Sequence, residues 1–172
     1  MHTRAVPSPR PSPRELIEQA VDRYGLDDVR AWCERLVLGE SPRAGDPDLA
    51  LLGGDPTWAR YWFRVWGVRA FRYVGPPPRH VLERALGDEA WRVREHALAI
   101  VAETEDDRFL DAADAALDDP VARVRLAALR VVGALGEAEH AEHARRMSRV
   151  GIPPDRVDAV LGRMAERLDR PL

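Results

Sequence analysis

The sequence predicts an all-α fold, an α-α superhelix built from about five helical hairpins. The main observation is an internal repeat: the pattern of residues 85–101 returns about thirty residues later as residues 116–132. Repeats of this length are typical of helical arrays in which each unit buries its apolar face against the next. Apolar residues also recur at helical spacing along the chain, and no stretch shows the alternation with period two that is typical of strands.

The composition divides the chain into two regions. Its 172 residues are enough for one domain with a core of its own. Near the start, proline occupies every second position from Pro7 to Pro13, which removes backbone donors and favours extended conformations. We therefore expect a disordered Pro/Arg/Ser-rich arm over residues 1–13 and a single helical repeat domain over residues 14–170.

The helices can be placed in order from their apolar stripes and end signals. The first stripe follows Pro13 and predicts the first helix. The dipeptides Asp55-Pro56 and Asp119-Pro120 predict the starts of two later helices, because aspartate caps a helix and proline fits its first turn. Three glycines that follow apolar residues predict helix ends in the left-handed conformation: Gly39, Gly75 and Gly136.

Each predicted hairpin, which we call a unit, has an arginine at an equivalent position of its second helix. We call this residue the marker arginine of the unit. These arginines are Arg30, Arg64, Arg94, Arg125 and Arg156. The residue three positions later is small in each unit: Cys33, Gly67, Ala97, Ala128 and Ala159. A small side chain there lets neighbouring helices approach closely, as stacked repeats require. We therefore expect Cys33 to be a buried and unreactive thiol.

Two aspartate–arginine pairs give the chain a family resemblance. Asp88 stands six residues before Arg94, and Asp119 stands six residues before Arg125. In this pattern the chain resembles the HEAT repeat family, in the short form also found in the HEAT-like repeats of phycobiliprotein lyases. The resemblance implies that each Asp lies at the turn within a hairpin and each Arg near the start of its second helix, where they form charge-assisted ladders between repeats. The pattern is broken in the last unit, where Val150 takes the place of the aspartate.

The same register identifies a face on which we expect a partner to bind. The positions two before, two after, five after and eight to nine after each marker arginine lie opposite the predicted core, and the resemblance implies that this face is concave. The predicted partner-binding residues are Trp32, Trp62, Trp66, Arg69, Arg92, His96, Arg123 and Arg130. Tryptophan and arginine are the residues most enriched at binding hot spots. The alternative is that the three tryptophans pack under the N-terminal helices and the loop over residues 39–54.

The chain offers no clear chemistry beyond binding. His140 and His143 lie three residues apart near carboxylates, a spacing that suits zinc, but a clear third ligand is lacking. The sequence contains neither a Gly-rich phosphate loop nor a nucleophile elbow. We therefore predict no catalytic residue, no metal site and no cofactor.

Charge and hydropathy argue against some kinds of partner and indicate the compartment in which we expect the protein. The net charge of −3 argues against the strong basic excess of simple nucleic-acid binders. A single cysteine excludes an internal disulfide, and no apolar run approaches the roughly 18 residues that span a bilayer. The chain start also lacks the apolar core of a signal peptide. We expect a soluble, cytoplasmic protein without a membrane partner.

Three functions are consistent with these patterns. The first is a non-enzymatic interaction module or scaffold that binds a protein or peptide on its concave face. The second is nucleic-acid binding, because alkylpurine DNA glycosylases are also HEAT-like and carry tryptophans and arginines in a concave groove. The third, suggested by the repeat resemblance alone, is a chromophore lyase or small-molecule carrier.

Overall fold

The computed structural model describes residues 11–172, and this part of the chain is helical without strands, as predicted. Its α-helices are α1 Pro13–Tyr24, α2 Leu26–Val37, α3 Tyr61–Val74, α4 Arg79–Leu86, α5 Trp91–Thr104, α6 Leu110–Ala115, α7 Ala122–Leu135, α8 Ala141–Arg146 and α9 Pro154–Leu168. Short 3-10 turns extend or connect several of them. None of the helices in this range is long and apolar enough to cross a membrane.

The first helix begins at the end of the predicted arm. The Ser12 hydroxyl accepts a hydrogen bond from the Glu15 backbone N–H at 3.3 Å, and the Glu15 carboxylate accepts one from the Ser12 N–H at 2.6 Å. This capping box places Pro13 in the first turn of α1. The helical domain therefore includes the last two residues of the predicted arm, and arm residues 1–10 lie outside the described part of the chain.

Two helix starts and one helix end differ from the predictions. Helices α3 and α7 begin at Tyr61 and Ala122, because Asp55 and Asp119 accept hydrogen bonds from the N–H two residues later and so close turns before the helices. Gly136 is not left-handed, since its φ is −66°. A glycine is needed there because a Cβ would lie 2.5 Å from the Val132 carbonyl oxygen.

The second helices of the predicted hairpins pack against one another in chain order. Helix α2 packs on α3, α3 on α5, α5 on α7, and α7 on α9. The shorter helices α4, α6 and α8 each pack against the helix that follows them, while α1 contacts α2, α3 and the 3-10 turn Leu49–Leu52. The result is a single core that continues through all of these helices.

Small residues permit the closest helix contacts. A Cβ on Gly67 of α3 would lie 2.8 Å from the Cys33 carbonyl oxygen of α2. Ala97 and Ala128 occupy the same register position in α5 and α7 and are fully buried. Ala159 of α9 does not follow this pattern, because it is exposed and α9 contacts α7 through Val160 and its buried neighbours instead.

The marker arginines connect consecutive units. Arg64 pairs with Asp88 at 2.8 Å, and Arg94 pairs with Asp119 through two contacts of 2.7 and 3.0 Å. Arg94 also donates to the carbonyl oxygen of Asp88 at 2.6 Å, so it joins the turn of its own unit to the turn of the next. The Asp88 and Asp119 carboxylates are buried, at 0 and 8% exposure of their side chains.

The first and fourth marker arginines, Arg30 and Arg125, use backbone oxygens as acceptors in the next unit. Arg125 donates to the carbonyl of Val150 at 2.7 Å, at the position where the sequence lacks the aspartate. Arg30 donates to the carbonyl oxygens of Gly75 and Pro76 at 3.0 and 2.8 Å, just after α3 ends. The arginine register therefore continues through four helices even where its acidic partner is absent.

Candidate binding groove

Helices α3, α5 and α7 enclose a groove with a volume of about 330 Å³. Six of the predicted partner-binding residues line it: Trp62, Arg69, Arg92, His96, Arg123 and Arg130. Arg72 and Ala102 also line it, and they lie on the predicted face because each stands eight residues after a marker arginine. Three lining residues lie outside the register positions of that face: Val65, Trp91 and Glu95. We call this surface the groove.

Two predicted residues lie in the core instead. Trp32 and Trp66 are 1 and 2% exposed, so they are not available to a partner and the prediction is corrected for both. Trp32 belongs to α2, which is enclosed by α1 and α3. The loop before α3 covers Trp66 closely, because a Cβ on Gly54 would lie 2.5 Å from its ring. The alternative interpretation, core packing under the N-terminal region, therefore holds for these two tryptophans but not for Trp62.

Aromatic rings and guanidinium groups alternate at one end of the groove. The Arg92 guanidinium lies 4.2 Å from the centre of the Trp91 ring and 5.0 Å from that of Trp62. The Arg123 guanidinium also lies over the Trp91 ring, 5.4 Å from its centre. On the outer side, the half-exposed Trp58 contacts Trp62 edge to face at 5.0 Å. Such cation–π contacts hold the arginines in fixed positions, and they involve the flat faces of the guanidinium groups and not the N–H edges that bind anions.

The groove carries an excess of positive charge. Among its lining residues, five are arginines and one is a carboxylate, Glu95. Glu95 accepts a hydrogen bond from Arg123 at 2.9 Å, and Glu103 outside the groove accepts one from Arg72 at 2.9 Å. Arg69 donates to the carbonyl of Leu52. Burial of the Arg69 side chain lowers its pKa, but a guanidinium remains protonated in proteins.

His96 lies among these arginines without adding to their charge. Burial, together with the charges of Arg69, Arg72 and Arg123, lowers the pKa of His96 to about 4. The ring is therefore neutral at pH 7 and has one N–H donor and one acceptor nitrogen. It can donate a hydrogen bond to an anion in the groove without gaining a proton.

The other cysteine and histidine side chains considered from the sequence are either buried or hydrogen-bonded to neighbouring residues. Burial raises the pKa of Cys33 to about 12, so the thiol is not ionised at neutral pH. His143 lies between Asp114 and Asp118, 3.1 and 3.3 Å from their carboxylates. His140 Nδ1 instead accepts a hydrogen bond from the N–H of Glu137 at 3.0 Å. Within residues 11–172, no group of three or more side chains could hold a metal ion.

Comparisons with known proteins give no relative from which a function could be inferred. No family model matches the sequence, and no curated protein or solved structure shows significant similarity to the chain.

Proposed function

We propose that the chain is a HEAT-like repeat protein whose hairpins stack into a solenoid, and that its groove binds an acidic segment of a partner protein. The family assignment is supported by the repeated Asp–Arg pattern and by the packing of α2, α3, α5, α7 and α9 in chain order. The arginine contacts between successive units also support it, because they join equivalent positions of neighbouring repeats.

The observation that carries the proposed function is the composition of the groove. Five arginines line it against a single carboxylate, although the whole chain has a net charge of −3. Concentrated guanidinium groups bind carboxylates through short, charge-assisted hydrogen bonds. The rings of Trp62 and Trp91 hold the Arg92 guanidinium in place for such a ligand through cation–π contacts.

The arrangement of the tryptophans favours a peptide over a nucleic acid. Single-stranded nucleic acids bind largely by stacking their bases on exposed aromatic faces. Arg92 already lies over Trp62 and Trp91, and Arg123 also lies over Trp91, so a base would have to displace a guanidinium. A carboxylate needs only the N–H edges of these groups. The negative net charge further opposes a long polyanion.

Fluorescence anisotropy with three labelled probes tests this choice. The probes are a peptide of about ten residues that alternates Glu and Leu, the same peptide with Lys in place of Glu, and a single-stranded DNA of about ten nucleotides. We expect the acidic peptide to bind most tightly. Its affinity should fall between about 50 mM and about 200 mM salt, because the attraction is electrostatic. Tighter binding of the DNA, or equal binding of the two peptides, contradicts the proposal.

A further inference from the structure

We propose that the end of the groove farther from the tryptophans binds a phosphoryl group carried by a side chain of the partner segment. This inference rests on the proposed function and makes its ligand more specific. The site consists of Arg69, Arg72, His96, Ala99, Ala102 and Arg130, and we call it the anion slot.

The shape of the slot follows from which helix supplies which side chain. The central helix α5 contributes Ala99 and Ala102, which lie one turn apart and so share one face of the helix. Arg69 and Arg72 likewise share a face of α3. Arg130 stands on α7 at the other side and is exposed. Long cationic side chains from both neighbouring helices therefore flank a low floor made of methyl groups.

The slot arginines retain donors for a ligand. Arg72 contacts Glu103 through Nε and Nη2, so its Nη1 is not part of that ion pair. Arg69 donates to the Leu52 carbonyl oxygen through Nη2, so its Nη1 is not part of that hydrogen bond. The exposed guanidinium of Arg130 completes a set that approaches the floor from two sides.

Charge and hydrogen bonding favour a phosphoryl group over a carboxylate here. A carboxylate has one charge and two acceptor oxygens, whereas a phosphorylated side chain has a charge of about −1.5 to −2 and three acceptor oxygens. Three arginines can satisfy all three oxygens through charge-assisted hydrogen bonds. His96 adds a neutral N–H donor at the same place.

The surroundings of His96 provide an independent readout of occupancy. The charged groups that face its ring are Arg69 and Arg72 from α3, Glu103 from α5 and Arg123 from α7. Burial of the ring, together with the positive excess of these groups, lowers the pKa of His96 to about 4. An anion in the slot opposes the arginine charges, so its binding should raise that pKa.

The experiment compares three peptides that differ at one position. An acidic Glu/Leu peptide carries phosphoserine, Glu or Ser at its centre, and each is titrated by fluorescence anisotropy into the full chain. We expect the phosphoserine peptide to bind about tenfold more tightly than the Glu peptide. Arg130→Gln and Arg72→Gln should each remove most of this preference. Arg163→Gln, at an exposed position of α9, should preserve it.

Nuclear magnetic resonance of the His96 ring supplies the second measurement. The pKa of His96 should rise when the phosphoserine peptide is bound and should rise less with the Ser peptide. Equal affinities for the phosphoserine and Glu peptides would overturn the phosphoryl assignment and leave the proposed function standing. Failure of all three peptides to bind would overturn the proposed function as well. Tighter binding of a single-stranded DNA of the same length would assign the phosphoryl group to a nucleic acid and contradict the inference.

Discussion

Arg94 and Asp119 form a two-point ion pair, with Nε 2.7 Å from Oδ2 and Nη2 3.0 Å from Oδ1. The Arg94 side chain is 16% exposed and that of Asp119 is 8% exposed. The same aspartate accepts a hydrogen bond from the N–H of Val121 at 2.8 Å, in the turn before α7. One carboxylate therefore organises a turn and also binds the preceding unit.

Removal of Arg94 should destabilise the fold strongly. Arg94→Ala leaves the Asp119 carboxylate buried without its counter-charge, and we expect the free energy of unfolding to fall by about 3 kcal/mol. Arg145→Ala is the control, because its ion pair with Glu142 is exposed and should contribute less than about 1 kcal/mol. Urea unfolding of both variants measures the difference. An equal fall in the free energy of unfolding for both variants would show that the Arg94–Asp119 pair contributes no more than an exposed ion pair.

The contact between α2 and α3 should tolerate no side chain at Gly67. The Cβ of Gly67→Ala would lie 2.8 Å from the Cys33 carbonyl oxygen, which forces the helices apart and should cost about 1–3 kcal/mol. Gly162→Ala in α9 is a matched control, since no atom outside the adjoining backbone of α9 lies within 4 Å of its Cβ position. That substitution should stabilise the fold by about 0.5–1 kcal/mol, because alanine favours helices over glycine. Thermal unfolding should shift in opposite directions for the two variants.

His96 should make the stability of the protein depend on pH in the acidic range. Its pKa falls from an ordinary 6.5 to about 4 in the fold, so between these values the unfolded chain takes up a proton that the folded chain does not. The free energy of unfolding therefore decreases as the pH falls through this window, and the contribution is constant above it. His96→Gln should make the slope shallower in urea unfolding from pH 6.5 to pH 4. An unchanged slope would mean that the ring is not held neutral.

The sequence predicts which residues line the groove better than it predicts which tryptophans are buried. The marker arginines set a register that places Arg92 and Arg123 on one face, and both line the groove. The same register assigns Trp66 to that face, yet the loop before α3 covers it. Helical periodicity gives the direction of a side chain but contains no information about whether the loop before the helix folds back over it.

One groove tryptophan lies outside the register positions for a related reason. Trp91 is the first residue of α5 and reaches the groove from the helix end, where it contacts Arg92 and Arg123. A large side chain at the end of a helix extends past the face that periodicity assigns to it.

The most direct test of the binding account compares two variants with the same change in net charge. Arg92→Gln with Arg123→Gln removes two groove arginines, and Arg146→Gln with Arg163→Gln removes two exposed arginines of α8 and α9. Circular dichroism first establishes that both variants are folded, and anisotropy then measures their affinity for the Glu/Leu peptide. We predict that the groove variant binds at least about tenfold more weakly, while the control stays within about twofold of the wild type. Equal affinities of the two variants would contradict the assignment of binding to the groove.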